Sequence, residues 1–179
     1  SEDALFLADN TQLRIGAGGD LRFFHNGTNS FAVNYNGDFY ISNNAADKDL
    51  IFQCDNGSGG EKTYFFLDGS QADGTYSFTI FPDNSIAAFG NSTDLQIYHD
   101  GSNTKLLNYT GDLQIINYAN DKDIILSSDD GSGGTTAYLT LDGSSASTKL
   151  HVDTYLDDNK AMMFGTGGDA FFKHTGSAF

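Results

Sequence analysis

Hydrophobic and polar residues alternate over short stretches along most of the chain. In D-L-Q-I-Y-H at 94–99, Leu95 and Ile97 fall on one side and Gln96 and Tyr98 on the other, which is the period of a β-strand. No stretch combines the 3.6-residue period of a helix with capping residues. The pattern therefore predicts an all-β fold, with strands near 4–8, 12–15, 20–25, 31–35, 38–42, 49–53, 62–67, 75–81, 86–89, 94–99, 105–109, 112–117, 123–127, 136–141, 149–156, 161–164 and 169–173.

Turn residues separate these stretches at the spacing of short hairpins. Asn-Gly and Asp-Gly tolerate the positive φ that primed hairpin turns require. Asn-Gly occurs at 26–27, 36–37 and 56–57, and Asp-Gly at 68–69, 73–74, 100–101, 130–131 and 142–143. The turns therefore support the same all-β prediction.

The pattern also repeats at long range. When the sequence is shifted by 74, so that Asp9 falls on Asp83, 30 of the 64 positions from Asp9 to Ala72 are identical to their partners, without a gap. A partial third copy, shifted by 75, begins at Asp158. The chain thus holds about 2.3 copies: copy 1 over 1–74, copy 2 over 75–148 and a partial copy over 149–179. We expect it to be a fragment of, or continuous with, a longer array.

Such short strands bury little surface individually, so repeated units must cover one another. The sequence predicts an elongated, repetitive architecture, either an intertwined homotrimeric β-fibre or a β-helix or prism. A trimer buries the apolar faces of three chains together and hides their strand edges.

Charge and composition exclude several classes of protein. The formal net charge is −15 with only nine Lys and Arg, and binding to nucleic acid needs clustered cations. No run of 18 apolar residues predicts a membrane span. A single cysteine, Cys54, rules out an intrachain disulfide.

Three segments carry a resemblance to a known group of proteins. D-L-Q-I-Y-H-D-G-S-N at 94–103, D-K-D-I-I-L-S-S-D-D-G-S-G-G at 121–134 and Y-L-T-L-D-G-S at 138–144 resemble repeats in tail-fibre and other virion-appendage proteins of marine bacteriophages. The resemblance implies an elongated homotrimer in the virion, associated with other appendage proteins and carrying or forming the end that binds a host glycan or protein.

Histidine recurs once per copy, as His25, His99 and His174. The residue that follows changes from Asn26 to Asp100 to Thr175, so no neighbouring acid is retained to orient an imidazole for catalysis or metal binding. We interpret these residues as strand-end structural histidines. Three imidazoles around a threefold axis remain a weak alternative as a metal site.

Other residues offer weaker candidates for binding. Tyr98, Tyr109 and Tyr118 can stack on sugar rings, although tyrosines in repetitive fibres more often pack between strands. The Gly-rich loop at 129–134 lacks the spaced acids of a calcium-binding EF-hand. We predict no cofactor and no catalytic residue.

The sequence thus favours a structural component of a viral appendage, a shaft or tip that supports host attachment. One alternative is a bacterial surface adhesin or filament subunit folded as a single-chain β-solenoid, at the cell surface or outside the cell. A less favoured alternative is a polysaccharide-degrading enzyme on a β-helix, which needs an acidic cluster that breaks the repeat.

Overall fold

A computed structural model describes residues 4–176, and this part of the chain contains strands and no helix. The all-β prediction is therefore confirmed. The strands are β1 (Leu13–Ile15), β2 (Leu21–His25), β3 (Ser30–Asn34), β4 (Leu50–Asp55), β5 (Glu61–Asp68), β6 (Phe78–Ile80), β7 (Ala87–Phe89), β8 (Leu95–His99), β9 (Thr104–Asn108), β10 (Ile124–Asp129), β11 (Thr135–Asp142), β12 (Ser147–Leu150), β13 (Ala161–Phe164) and β14 (Ala170–Lys173).

The strands form small antiparallel sheets within two compact units, one ending at Gly111 and the other beginning at Asp112. The first unit contains the three-stranded sheets β1-β2-β3, β4-β5-β6 and β7-β8-β9. The second contains β10-β11-β12 and the hairpin β13-β14. The copies predicted over 1–74, 75–148 and 149–179 describe the repeat in the sequence, and their limits differ from this division.

The pairings β2-β3 and β4-β5 recur in copy 2 with the period of the sequence, whereas β5-β6 and β11-β12 differ, since Leu67 pairs with Thr79 but the equivalent Leu141 pairs with Thr148. In β2-β3, Leu21 pairs with Asn34, and in β8-β9, Leu95 pairs with Asn108. The β4-β5 hairpin and the equivalent β10-β11 hairpin each contain one register shift, which follows Phe52 in β4 and Leu126 in β10. Identical offsets arise because the turn glycines and the alternation, which together fix register, recur at equivalent positions of copies 1 and 2.

Three predicted strands are wrong as elements of the single chain. Residues 4–8, 38–42 and 112–117 are not assigned to strands, and the strand predicted over 149–156 ends at Leu150. A strand exists only where its backbone groups bond to a neighbour, and the described residues offer these segments none. Their short apolar sequences nevertheless remain typical of strands.

The hydrophobic side chains pack in pairs rather than in a core. Among residues 4–176, no hydrophobic side chain is fully buried. The cross-strand partners Phe24 and Phe31 stack with ring centroids 4.7 Å apart, and Phe52 and Phe65 stack at 4.5 Å. Cross-strand aromatic pairs stabilise individual sheets, but each sheet leaves much apolar surface in contact with water.

Candidate functional site

The recurring histidines lie at strand ends. β2 ends at His25 and β8 ends at His99, while His174 directly follows β14. A tight turn begins immediately after each of the first two, with Gly27 at φ 93° and Gly101 at φ 94°. Each of these imidazoles therefore lies at the point where the chain leaves a strand and enters a turn.

Two of these histidines contact an aspartate 16 residues earlier in the chain. Nδ1 of His99 lies 2.8 Å from Oδ1 of Asp83, and Nδ1 of His174 lies 3.0 Å from Oδ1 of Asp158. The acid that follows His99 in the sequence, Asp100, is not its partner. The residue that follows each histidine does change between copies, but the contact of the histidine with an aspartate 16 residues earlier in copies 2 and 3 was missed in the sequence analysis.

Backbone hydrogen bonds bring this aspartate to the histidine. The N–H of Asn84, which follows Asp83, donates to the carbonyl of His99 at 2.9 Å. Asn159 donates to His174 at 2.9 Å and Asn10 to His25 at 2.7 Å. All three asparagines have φ between 61° and 65°, a conformation that asparagine tolerates better than most residues. The Asp-Asn dipeptides at 9–10, 83–84 and 158–159 were the sequence signal for this contact.

Copy 1 uses the same backbone arrangement with a different side-chain partner. Nδ1 of His25 lies 3.1 Å from the hydroxyl of Ser30, its cross-strand neighbour, rather than against Asp9. The position of Ser30 is occupied by Thr104 in copy 2. The docking of the Asp-Asn segment is thus common to the copies, whereas the ion pair is not.

The geometry identifies the proton donor in the His99 pair. A carboxylate only accepts hydrogen bonds, so Nδ1 must donate to Asp83. The N–H of Gly101 also lies 3.2 Å from Nδ1, but a protonated Nδ1 has no lone pair to accept it. The shorter, charge-assisted contact to Asp83 is the stronger of the two.

Asp100 has a separate role in the turn after His99. Its Oδ1 accepts hydrogen bonds from the backbone N–H groups of Asn103 at 2.8 Å and Ser102 at 3.0 Å. These two bonds are the main reason that the pKa of Asp100 is lowered. Asn26 accepts the equivalent pair of bonds in copy 1. Asp100 and Asn26 are therefore interchangeable turn caps.

The His-Asp pairs offer limited chemistry. The side chains of His99 and Asp83 are 44% and 62% exposed, and no serine, threonine or cysteine in residues 4–176 hydrogen-bonds to either. Within the same range, no three His, Cys, Asp or Glu residues are grouped to hold a metal ion. What the pair can do directly is tie a preceding segment to a strand end.

The three candidate tyrosines occupy different elements. Tyr98 is half-buried in β8 opposite Lys105, and Tyr109 is exposed just after β9. Tyr118 belongs to the second unit and is 91% exposed. Tyr118 presents its ring for contact with a ligand, while the sugar-stacking role of all three stays a prediction.

A second recurring anchor involves the Asp-Lys-Asp motif. Oδ1 of Asp49 accepts the N–H of Gly69 at 3.1 Å, and Oδ1 of Asp123 accepts that of Gly143 at 2.9 Å. At both glycines an added Cβ would collide with a backbone carbonyl, of Lys48 and Lys122 respectively. The motif therefore holds the turn after β5 against the residues that precede β4, and the turn after β11 against the residues that precede β10.

Asp68 and Asp142 begin those turns and are buried. Oδ1 of Asp142 accepts the N–H of Ser145 and the hydroxyl of Ser144, and Oδ2 accepts from the Lys149 ammonium. Lys149 contributes most to a pKa of Asp142 well below its usual range. In copy 1, the N–H of Gln71 is the main cause of a lowered pKa at Asp68. Both carboxylates organise turns.

The Gly-rich hairpin loops are also closed by their own side chains. Oδ1 of Asp130 accepts the N–H groups of Ser132 and Gly134, and Oδ1 of Asn56 accepts those of Ser58 and Gly60. An amide fills this role as well as a carboxylate does. The loop after β10 is thus built like the loop after β4.

Comparison with known proteins found no relative of the chain. No family model, no curated protein and no solved structure matches the chain. Within residues 4–176, no helix has the length and apolarity needed to cross a membrane.

Proposed function

We propose that the chain is a structural component of a viral appendage, a tail-fibre-like shaft or tip that supports attachment to a host cell. In this role three copies form an elongated homotrimer, joined to other appendage proteins. The protein catalyses no reaction and its work is mechanical.

The observation that carries the proposal is the absence of a fully buried hydrophobic side chain in residues 4–176. Burial of apolar surface is the main stabilising contribution to folding. Stacked aromatic pairs stabilise single hairpins, but a small sheet whose apolar face stays in contact with water gains little from this contribution. An assembly of several copies supplies the missing cover.

The accessible area supports the same conclusion. The chain exposes 14522 Å². A compact protein of 19.3 kDa exposes about 8,500 Å², and two separate compact halves would together expose about 10,000 Å². The excess surface is larger than the roughly 1,600 Å² of a standard protein–protein interface. Ample surface is therefore present for association.

Location in a virion rests on the resemblance of residues 94–103, 121–134 and 138–144 to phage appendage repeats. The acidic composition agrees with a marine setting, because salt screens self-repulsion beyond roughly 8–10 Å. Tyr118, 91% exposed, is the candidate for contact with a host glycan.

A bacterial surface adhesin or filament subunit is the second candidate, since a single-chain β-solenoid also stacks repeated units. It requires that the chain cover its own apolar faces. The uncovered faces in residues 4–176 therefore favour the trimer over this alternative.

A polysaccharide-degrading enzyme has less support. The acids whose hydrogen bonds are described above serve as turn caps, strand-end partners and loop closures. Glycoside hydrolysis instead needs two carboxyl groups facing one substrate bond. Activity on neutral and acidic polysaccharides, assayed by release of reducing ends, would revive this candidate.

Oligomeric state is the first test. Light scattering after size-exclusion chromatography should give three times the 19.3 kDa of one chain. A folded monomer at micromolar concentration would overturn the trimer and leave the solenoid.

Location is the second test. Antibodies raised against the purified chain should label the tails of phage particles concentrated from seawater, as seen by immunogold electron microscopy. Label confined to bacterial surfaces would overturn the virion assignment in favour of the adhesin. Binding of the purified chain to cultured marine bacteria, reduced in Tyr118→Ala, would identify the host-binding residue.

A further inference from the structure

Two equivalent segments of the chain are strand-like in sequence yet unpaired. They are D-F-Y-I-S-N at 38–43 and D-L-Q-I-I-N at 112–117, here called the unpaired segments. We infer that each is an inter-chain strand, which pairs through its backbone with a second copy of this chain. The inference rests on the proposed assembly of several copies and names the surface that forms it.

The backbone of the unpaired segments lacks hydrogen bonds to the part of the chain that the structure describes. Among residues 4–176, no backbone N–H or carbonyl of 38–42 or 112–116 has a hydrogen-bond partner. The strands on both sides of each segment, β3 and β4 or β9 and β10, are paired along one edge, with β2, β5, β8 and β11 respectively. Unpaired backbone edges with alternating apolar residues are templates for strand addition.

Both ends of each unpaired segment are fixed by asparagine side chains. Before the first segment, Nδ2 of Asn34 donates to the carbonyl of Gly37 at 2.8 Å, and at its end Nδ2 of Asn43 donates to the carbonyl of Asp49 at 2.8 Å. Asn108 and Asn117 make the same bonds, to Gly111 at 2.8 Å and to Asp123 at 2.9 Å. A segment held at both ends loses less conformational entropy when a partner strand arrives.

The apolar side chains of the unpaired segments are exposed. Ile41 is 58% exposed and its equivalent Ile115 is 62% exposed. Each segment also borders an open cleft, of about 330 Å³ in the first unit and about 380 Å³ in the second. The clefts share apolar lining at equivalent positions, Leu50 and Leu67 in one and Ile124 and Leu141 in the other. An apolar side chain from a partner would exclude water from both surfaces.

A second copy of this chain is the partner that fits. The two unpaired segments occupy equivalent positions of copies 1 and 2, so a partner that occupies both must present two matched strands at the same separation. A symmetry-related copy of the chain carries the same two segments at the same separation, so the two pairs of strands match by construction. Engaging both segments at once also raises the effective concentration of the second contact.

Charge does not oppose this pairing strongly. Each unpaired segment carries one acid at its first position, Asp38 or Asp112, followed by five uncharged residues. The remaining negative charge of the chain lies outside the segments and is screened at physiological salt. Pairing should therefore strengthen as the salt concentration rises.

Proline substitution tests the backbone contacts directly. Alternate N–H groups of a strand point to opposite sides, so one of two neighbouring positions faces the partner. We compare Tyr40→Pro/Gln114→Pro with Ile41→Pro/Ile115→Pro, because proline removes the N–H. None of these N–H groups is hydrogen-bonded to a residue within 4–176, so folding of each unit should survive.

At least one proline pair should raise the dissociation constant of the oligomer tenfold or more in sedimentation equilibrium. The control Tyr40→Thr/Gln114→Thr keeps the N–H and suits a strand, so its oligomer should remain intact. Circular dichroism of each variant should retain the β-sheet spectrum. Unchanged association in both proline pairs would overturn the inference.

Hydrogen exchange gives an answer that does not depend on variants. In the native oligomer, alternate amides within 39–42 and 113–116 should exchange at least 100-fold more slowly than expected for free peptides. Rapid exchange in a protein whose mass is that of an oligomer would overturn the inter-chain strands and leave the oligomer standing. A monomeric mass would instead overturn the proposed assembly itself.

Discussion

Oδ1 of Asp83 lies 2.8 Å from Nδ1 of His99, although the two residues are 16 positions apart. The contact closes the segment before β7 onto the end of β8, beside the backbone bond from Asn84 to His99. An exposed pair of this kind contributes about 0.2–1 kcal/mol to folding stability. Its main effect is to orient the imidazole.

Asp83→Asn should remove the hydrogen bond that orients the His99 imidazole. Because Asp83 accepts the Nδ1 proton, the variant should lose the predominance of the Nδ1-protonated tautomer at His99, seen in the ring ¹⁵N shifts by NMR. Asp9→Asn is the matched control, since His25 contacts Ser30 instead, and it should leave the His25 shifts unchanged. If wild-type His99 carries its proton on Nε2 alone, the assignment of the pair is wrong.

Gly143→Ala should destabilise the protein more than Gly131→Ala does. An added Cβ at Gly143 meets the backbone carbonyl of Lys122, which cannot move without displacing the start of β10. Overpacking of this kind costs about 1–3 kcal/mol. At Gly131 the Cβ enters open space and only the positive φ of 80° is strained, at about 1–2 kcal/mol. Thermal unfolding of both variants measures the order, and equal melting temperatures would contradict it.

Gly101→Val should lower the melting temperature more than Asp100→Ala. Gly101 has a φ of 94°, which strains a β-branched residue by about 1–3 kcal/mol. Asp100→Ala loses the two turn-capping bonds from Ser102 and Asn103, which water can replace at this exposed turn. It also loses the 3.3 Å contact of Oδ2 with the Lys105 ammonium, a surface ion pair that contributes little to stability. Asp100→Asn is the control, since Asn26 caps the same turn in copy 1, and it should be close to neutral. A larger loss in Asp100→Ala than in Gly101→Val would make Asp100 a ligand or partner residue.

Stability should fall in acid because of Asp142 and Asp68. Both carboxyl groups have a pKa that folding lowers, through Lys149 and the N–H of Gln71 respectively. A carboxyl group with a lowered pKa stabilises the folded state above its unfolded pKa, and this contribution is lost as the pH falls through the folded value. Urea unfolding midpoints should therefore drop progressively below about pH 4.

Asp142→Asn should flatten that dependence, because its side chain no longer titrates. Asp153→Asn, the same change of charge at an exposed position, is the control. Identical slopes in wild type and Asp142→Asn would show that Asp142 does not couple protonation to folding.

The identity of the local elements was predictable because its causes are local. The alternation in Leu95–His99 predicts a strand, and Gly101 after Asp100 predicts a turn with positive φ, and both are present. Side-chain direction in a strand and the φ of a turn depend on residues a few positions apart. The recurrence of these signals in copy 2 likewise anticipated the equal registers of β2-β3 and β8-β9.

Partners distant in sequence were decided only by the tertiary structure. Asp83 reaches His99 because the Asn84 backbone docks on the strand end, and neither residue type alone indicates that contact. Residues 38–42 have the sequence of a strand, yet whether they become one depends on a neighbour that their own side chains do not supply. Alternation specifies which face of a segment is apolar, whereas backbone pairing requires another segment to be placed beside it, and that placement is a property of the folded chain and its assembly.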